Sequence, residues 1–258
     1  MSMRTADRHR LIGELLRERE EITVDELVAE CGASGATIRR DLEILASHGV
    51  LRRVHGGARS LVDRGDNPGY GQRELEDQDA KERIAVGVER LLRDRDHVWL
   101  DSGSTATEIA RRLAQRALTI MPMSLRAVEF LAADIPSGRR PGLLLPGGSL
   151  VPGEQSFRGP MAEANIRSLR FDAAIVTPCA INLKDGLLAH DLEDAAIKRA
   201  GLESAGRVIV ACTGSKWNAQ AVALVAAMDA VDVIVTDRKP STEERTLLEN
   251  LSVEVVTV

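Results

Sequence analysis

From Val98 to Val258 the chain alternates between short runs rich in β-branched residues and longer stretches with helical periodicity. The strand-like runs fall at Val98–Leu100, Leu118–Met121, Gly142–Leu145, Ala173–Thr177, Val208–Cys212, Val233–Thr236 and Val253–Val258. Helical patterns at Ala106–Ala114, Leu125–Ala133, Ala162–Leu169, Leu192–Ser204 and Thr242–Leu251 separate them. Continuously apolar strands need cover on both faces, and an intervening helix is the connection that keeps successive strands parallel. The pattern therefore predicts an α/β domain, a mostly parallel sheet with helices on both sides.

The first sixty residues follow another rhythm. Leu11, Ile12, Leu15 and Leu16 recur at helical spacing within Arg8–Arg19. Thr23 and Glu26 form a capping-box pattern that opens a second helix, with Leu27 and Val28 facing inward and Gly32 as its C-terminal cap. Ser34 caps a third, in which Ile38, Leu42 and Leu45 form the buried stripe while Thr37, Arg39, Arg40 and Asp41 turn outward. Gly49 stops it, and Val50–Ser60 reads as a hairpin around His55-Gly56-Gly57. Val62–Leu75 is rich in Gly, Asp and Pro without periodicity, which places a linker there. The expected organisation is a small domain over 1–61, a linker over 62–75 and a larger domain over 76–258, within the range of sizes that one sizeable core plus a satellite can fill.

Composition excludes several classes. No apolar run approaches the roughly 20 residues that span a bilayer, so no membrane partner is expected. The N-terminus lacks the apolar core of a signal peptide, and the three cysteines, Cys31, Cys179 and Cys212, are widely spaced in apolar contexts. Odd in number, they point to buried small hydrophobes in a reducing cytoplasm rather than to a disulfide frame or metal site. One Tyr, two Trp and three Phe are too few for stacking on single-stranded nucleic acid. Neither a metal nor a cofactor is expected.

Net charge is -5, yet residues 35–60 carry Arg39, Arg40, Arg52, Arg53 and Arg59 against only Asp41 and Glu43. Three short helices followed by a basic, glycine-containing hairpin make a winged helix-turn-helix, which lays the start of its last helix in the major groove of double-stranded DNA. Ser34, Thr37, Arg39 and Arg40 lie there. Hydroxyls suit phosphate oxygens, and an arginine fork suits either a phosphate or the guanine O6/N7 edge. Arg52, Arg53, His55 and Gly56 of the hairpin complete the candidate DNA-binding set. A plainer reading pairs Arg39 or Arg40 with Glu43 on a solvated helix face and makes His55 and the glycines only a turn. A homodimer or homotetramer is expected, since paired recognition helices can address two half-sites.

A second constellation lies in the larger domain. Val98-Trp99-Leu100-Asp101 passes directly into Ser102-Gly103-Ser104-Thr105 and then a helix. Small residues let the backbone approach an anion, the hydroxyls donate, and the helix start offers free N–H groups. The same residues are also an acceptable loop with Ser104 or Thr105 as an ordinary cap. Gly147-Gly148 after Leu143–Leu145, and Ser215-Lys216 after Val208–Cys212, are two more strand-end loops suited to an anionic ligand. Lys198 is either a further cation for that ligand or a surface lysine paired with Asp194.

Ile22 to Ala58, with SxxTIRRDLxxL and RxHGGA, resembles the DeoR family of bacterial sugar-catabolism repressors. The likeness continues through KERIA at 81–85, LDSGSTATEIA at 100–110, LPGG at 145–148, DxxDAAIKRA ending at Ala200 and GSKW at 214–217. The resemblance implies a larger domain similar to ribose-5-phosphate isomerase and coenzyme A transferase relatives, and a regulator of carbohydrate metabolism that senses a phosphorylated sugar or polyol effector. It would place the effector's phosphate on Asp101, Ser102, Gly103, Ser104 and Thr105, with Gly147, Gly148, Lys198 and Lys216 lining the rest. One departure stands out: Thr213 occupies the place where the family usually has an Asp before its Ser-Lys pair. The competing reading is a sugar-phosphate isomerase with a fused N-terminal domain, for which Asp101, Glu154, Asp185 and Asp191 are nominal acid/base groups without a catalytic motif around them. The chain is accordingly expected not to be an enzyme.

Overall fold

The computed structural model describes residues 3–47, 49–60, 69–133 and 141–258. The chain divides into two compact units, Met1–Gln78 and Asp79–Val258.

In the first unit, helix α1 (Thr5–Glu18), strand β1 (Glu21–Thr23), helix α2 (Val24–Cys31), helix α3 (Gly35–Ser47), strands β2 (Leu51–Val54) and β3 (Gly57–Ser60) and helix α4 (Tyr70–Leu75) follow in order. The capping box at Thr23 and Glu26 is formed in both directions, and Gly32 closes α2 in the left-handed region. Ile12, Leu16, Leu27, Ile38, Leu42, Leu45, Leu51 and Ala58 meet in one core. The hairpin is broader than its two predicted strands: β1 joins on the far side of β3, giving the order β1-β3-β2. Gly57 makes this possible, because a Cβ there would stand 2.2 Å from the Ile22 carbonyl oxygen. The expected linker needs correction at its end. Residues 70–75 are helical and lie against α1, whereas 62–68 fall outside the described residues.

The second unit runs α5 (Gln78–Arg90), β4 (His97–Leu100), α6 (Ser104–Leu113), β5 (Thr119–Pro122), α7 (Leu125–Ala132), β6 (Gly142–Leu143), β7 (Ser149–Val151), β8 (Ser156–Arg158), α8 (Pro160–Arg167), β9 (Ala173–Val176), β10 (Ala180–Asn182), β11 (Gly186–Ala189), α9 (Leu192–Glu203), β12 (Val208–Ala211), β13 (Ala223–Ala226), β14 (Val233–Thr236), α10 (Thr242–Asn250) and β15 (Glu254–Thr257). Seven of these strands form one parallel sheet in the order β15-β14-β12-β9-β4-β5-β6. Alternate residues of each strand feed two cores. Val98, Leu100, Ile120, Ile175 and Ile209 pack under α5, α6 and α7 through Ile84, Ile109 and Leu131. Trp99, Met121, Val176, Val210 and Ile234 pack under α8, α9 and α10 through Ile166, Ile197 and Leu248. Strands buried on both faces are what the unbroken apolar runs demanded.

The small strands were not legible beforehand. β7 pairs with β8, and β10, β11 and β13 form a separate antiparallel sheet. Helix α5 was also unassigned by periodicity, and the predicted strand at Gly142–Leu145 ends at Leu143.

The chain reaches β6 on one side of β4, then crosses back to β9 on the other side and proceeds outward to β12, β14 and β15. The strand order therefore reverses between β4 and β9, and at such a switch point the loops leaving the carboxyl ends of adjacent strands diverge and open a crevice.

Candidate functional site

The first unit carries its exposed cations where the sequence placed them. Ser34 caps α3, its Oγ accepting the Thr37 N–H at 3.2 Å and lying 2.9 Å from Thr37 Oγ1. Arg39 and Arg40 follow on the exposed side of the first two turns, and among the described residues neither makes an ion pair. Glu43, the partner a solvated helix face would have given them, is instead held by Arg53 of β2 at 2.8 Å. Arg52, His55 and Gly56 are exposed on the hairpin, whose tip turns through Gly56 at φ +80°. Arg53 is thus partly neutralised, whereas Arg39, Arg40 and Arg52 remain available to phosphates.

Asp41 does not turn outward as expected. It is 3% exposed and accepts from Arg8 Nε at 2.6 Å and Nη2 at 3.0 Å, with His9 Nε2 at 3.0 Å from the same carboxylate. Burial pushes its carboxyl up, but the hydrogen bonds from Arg8 and His9 outweigh that and hold it below the usual range. Helix α3 is clamped to α1 by this cluster, with the arginines two and one positions earlier left on the surface.

In the second unit Asp101 leaves β4 and Thr177 leaves β9, on either side of the switch point. Thr177 donates its N–H to Asp101 Oδ2 at 2.9 Å and its hydroxyl to the Ser102 carbonyl at 2.6 Å. Asp101 Oδ1 accepts the Ser102 N–H at 2.7 Å. Lys198 of α9 donates to both carboxylate oxygens, at 2.9 and 2.7 Å, and lies 3.2 Å from Asp194. Asp101 is 0% and Lys198 2% exposed. Burial alone would lower the lysine's pKa, but the two carboxylates outweigh it and keep the ammonium charged well above the ordinary range. Lys198 is therefore not a surface lysine, and Asp101 is not an open acid or base: the pair sits beneath the turn.

The turn itself is half-buried across Ser102, Gly103, Ser104 and Thr105. Gly103 adopts φ +102°, ψ 170°, a region essentially closed to residues with a Cβ, and among the described residues no side chain caps α6. An uncapped helix start at a strand's carboxyl end leaves leading N–H groups free to receive an anion.

Gly147 and Gly148 lie exposed beyond β6, both at positive φ, and a Cβ on Gly148 would stand 2.3 Å from the Arg158 carbonyl oxygen. Arg158, not singled out from sequence, is 9% exposed, donates to Asp191 at 2.8 Å and lies 4.0 Å from Asp194. A continuous ionic chain thus runs from the Gly148 turn through Arg158, Asp194 and Lys198 to Asp101. Asp191 is committed to capping α9, its other oxygen accepting the Asp194 N–H at 2.8 Å. Lys216 is half-buried on the turn Gly214–Lys216 after β12. That turn is tied down by Asp237, which accepts the Gly214 N–H at 2.7 Å, and by the Thr213–Ser215 hydroxyl pair at 2.8 Å. Thr213 therefore braces the loop internally. Among the described residues no group of His, Cys, Asp or Glu is placed to hold a metal ion, no helix is long and apolar enough to cross a membrane, and the three cysteines are free.

A winged helix-turn-helix with unpaired arginines, followed by an α/β sensor domain, defines a DNA-binding transcriptional regulator. Residues 8–64 match the DeoR-like helix-turn-helix domain and residues 76–238 the DeoR C terminal sensor domain. This chain belongs to the DeoR family. It is 34% identical to the transcriptional repressor AccR of Agrobacterium fabrum, over 96% of this chain and 95% of that one. It is 30% identical to a putative aga operon transcriptional repressor of Escherichia coli O157:H7, over 98% and 94% of the two chains. It is 29% identical to the HTH-type transcriptional regulator GlpR of Haloferax volcanii, over 98% of both chains. Among solved structures, ribose 5-phosphate isomerase A of Methanocaldococcus jannaschii aligns with 55% of each chain at 15% identity and a TM-score of 0.40.

Proposed function

We propose that the protein represses a sugar or polyol catabolism operon and is released from its operator by a phosphorylated sugar or polyol. The observation that carries this reading is the uncapped start of α6 behind Gly103, fixed from below by the buried Asp101–Lys198 pair. In it, the phosphate rests on the backbone and hydroxyls of Ser102, Gly103, Ser104 and Thr105. Gly147 and Gly148 form a turn that lines the ligand's far side, and Lys216 supplies the positive charge that Lys198, already neutralised, does not. Asp101 and Lys198 hold the turn rather than touch the ligand. Relatives named as glycerol-3-phosphate regulon repressors, from Haemophilus influenzae and Escherichia coli K12, support a phosphorylated polyol or sugar as the effector class. The protein acts in the cytoplasm as a homodimer or homotetramer, so that two recognition helices reach successive half-sites.

Relief of repression requires that the ligand bind the DNA-bound and free states with different free energy. A typical coupling of about 1–3 kcal/mol changes operator affinity by roughly 5–150-fold. A gel shift on DNA from the protein's own promoter region, titrated with sugar and polyol phosphates, tests this. At least one compound should weaken the complex, and an affinity unmoved by the whole panel contradicts the inducer role. No isomerase turnover is expected, because both oxygens of Asp101 are already engaged by hydrogen bonds.

A further inference from the structure

The small antiparallel sheet carries a concavity of about 490 Å³ that the effector reading does not use, bordered by Asn182, Asp185, Leu188, Asn218, Gln220 and Val222. Asp185, Asn218 and Gln220 are exposed at its rim and Asn182 is half-buried. Asn182 Oδ1 accepts the Lys184 and Asp185 N–H groups at 2.9 and 3.4 Å, which fixes that carboxamide and leaves its Nδ2 without a partner among the described residues. The side chains of Asp185, Asn218 and Gln220 likewise have none there. Asn218 is held at φ +57°, with its N–H donated to the Ile181 carbonyl at 2.8 Å. Asparagine enters the left-handed region readily, so the chain holds Asn218 at the edge of the concavity at little cost.

The chemistry of the lining selects its ligand. The carboxamides of Asn218 and Gln220 donate and accept at once, as hydroxyl groups do, and Asn182 adds the Nδ2 donor, so together they complement a polyhydroxylated molecule. Among the described residues no lysine, arginine or histidine borders the concavity, and Asp185 repels a phosphate. Leu188 and Val222 offer apolar surface to the C–H faces of a sugar, and the volume falls within that of ordinary small-molecule sites. We propose that this is a second metabolite site, one that takes a neutral sugar or polyol and rejects its phosphorylated form. It differs in sign of charge from the α6 turn, so one chain has the means to register a compound both before and after phosphorylation. The proposal does not rest on the effector reading, since it uses none of the same residues.

Calorimetry on the full chain with glycerol, ribitol, glucose and galactose, and with glucose 6-phosphate as the anionic control, tests it. At least one neutral compound should bind the wild-type chain. Asn218→Gly combined with Gln220→Ala should weaken that binding at least tenfold, because glycine accepts the left-handed backbone and only the carboxamides are lost. Ser104→Ala should leave it unchanged. The proposal is overturned if no neutral compound binds, if the double variant binds as the wild type does, or if Ser104→Ala abolishes the binding and so locates it at the α6 turn.

Discussion

Lys198 Nζ lies 2.7 Å from Asp101 Oδ2 with both side chains closed to solvent, joining the middle of α9 to the residue that follows β4. Two oppositely charged groups taken out of water together are tolerable; either alone is not. Lys198→Met strands the carboxylates of Asp101 and Asp194 and is expected to cost about 3–5 kcal/mol of stability. Adding Asp101→Asn to Lys198→Met should recover part of that loss. Urea denaturation of the two variants and the wild type measures both effects, and equal stability of all three would remove the pair from the account.

Gly103→Ala places a Cβ where φ is +102° and is expected to cost about 1–3 kcal/mol if the turn keeps its shape. If instead the turn relaxes, the cost falls but the free N–H groups move. Phosphate-ligand affinity should therefore fall in either case, by more than Ser104→Ala produces. Calorimetry with the ligand identified by gel shift, beside denaturation curves, separates the two routes.

The carboxyl of Asp41 is held below its unfolded value, near 3.9, by Arg8 and His9. A depressed carboxylate contributes stability above the unfolded value and loses it as pH falls through the folded one. Stability should therefore drop with acidification below about pH 4, and Asp41→Asn should be less stable at neutral pH with a flatter acid dependence. Denaturation of the full chain followed by a probe in the first unit, repeated across acid pH, reads this directly.

How much of this was written in the sequence depends on how far apart the interacting residues lie. Helices α1 to α3 were legible because their caps and apolar stripes are local: Thr23 with Glu26, Ser34 with Thr37, Ile38 with Leu42. The sheet was legible because strands buried on both faces cannot hide a polar residue. Asp41 was misplaced because its partner Arg8 lies 33 positions away, and nothing near residue 41 marks a buried carboxylate. Lys198 and Asp101, 97 positions apart, show the same limit. Arg158 belongs to no recognisable run, Thr177 closes the strand-like run Ala173–Thr177 but meets Asp101 76 positions away, and β1 is too short for alternation to register.

Gly201 shows the limit in packing. It lies inside α9, where glycine is normally weaker than alanine by about 1 kcal/mol. A Cβ there would come within 2.5 Å of the Trp99 ring, so Gly201→Ala is expected to destabilise by about 1–3 kcal/mol, against the helix preference. A melting temperature above wild type would show that the ring yields.

Arg39 and Arg40 make no ion pair among the described residues, while Arg53 spends its charge on Glu43. Arg40→Ala should weaken operator binding by about 1–3 kcal/mol if it reads a base, or lower the salt slope by about one if it holds a phosphate. Arg53→Ala should cost less. Effector affinity should be unchanged in both, since the variants leave the sensor domain untouched.

Fluorescence anisotropy of promoter DNA, followed while a phosphorylated sugar or polyol is added to wild-type and Ser104→Ala protein, tests the core of the account most directly. Wild-type protein should release the DNA as ligand rises, and the variant should need markedly more ligand while binding DNA equally well in its absence. Release at the same ligand concentration in both proteins would contradict a phosphate seat at the start of α6.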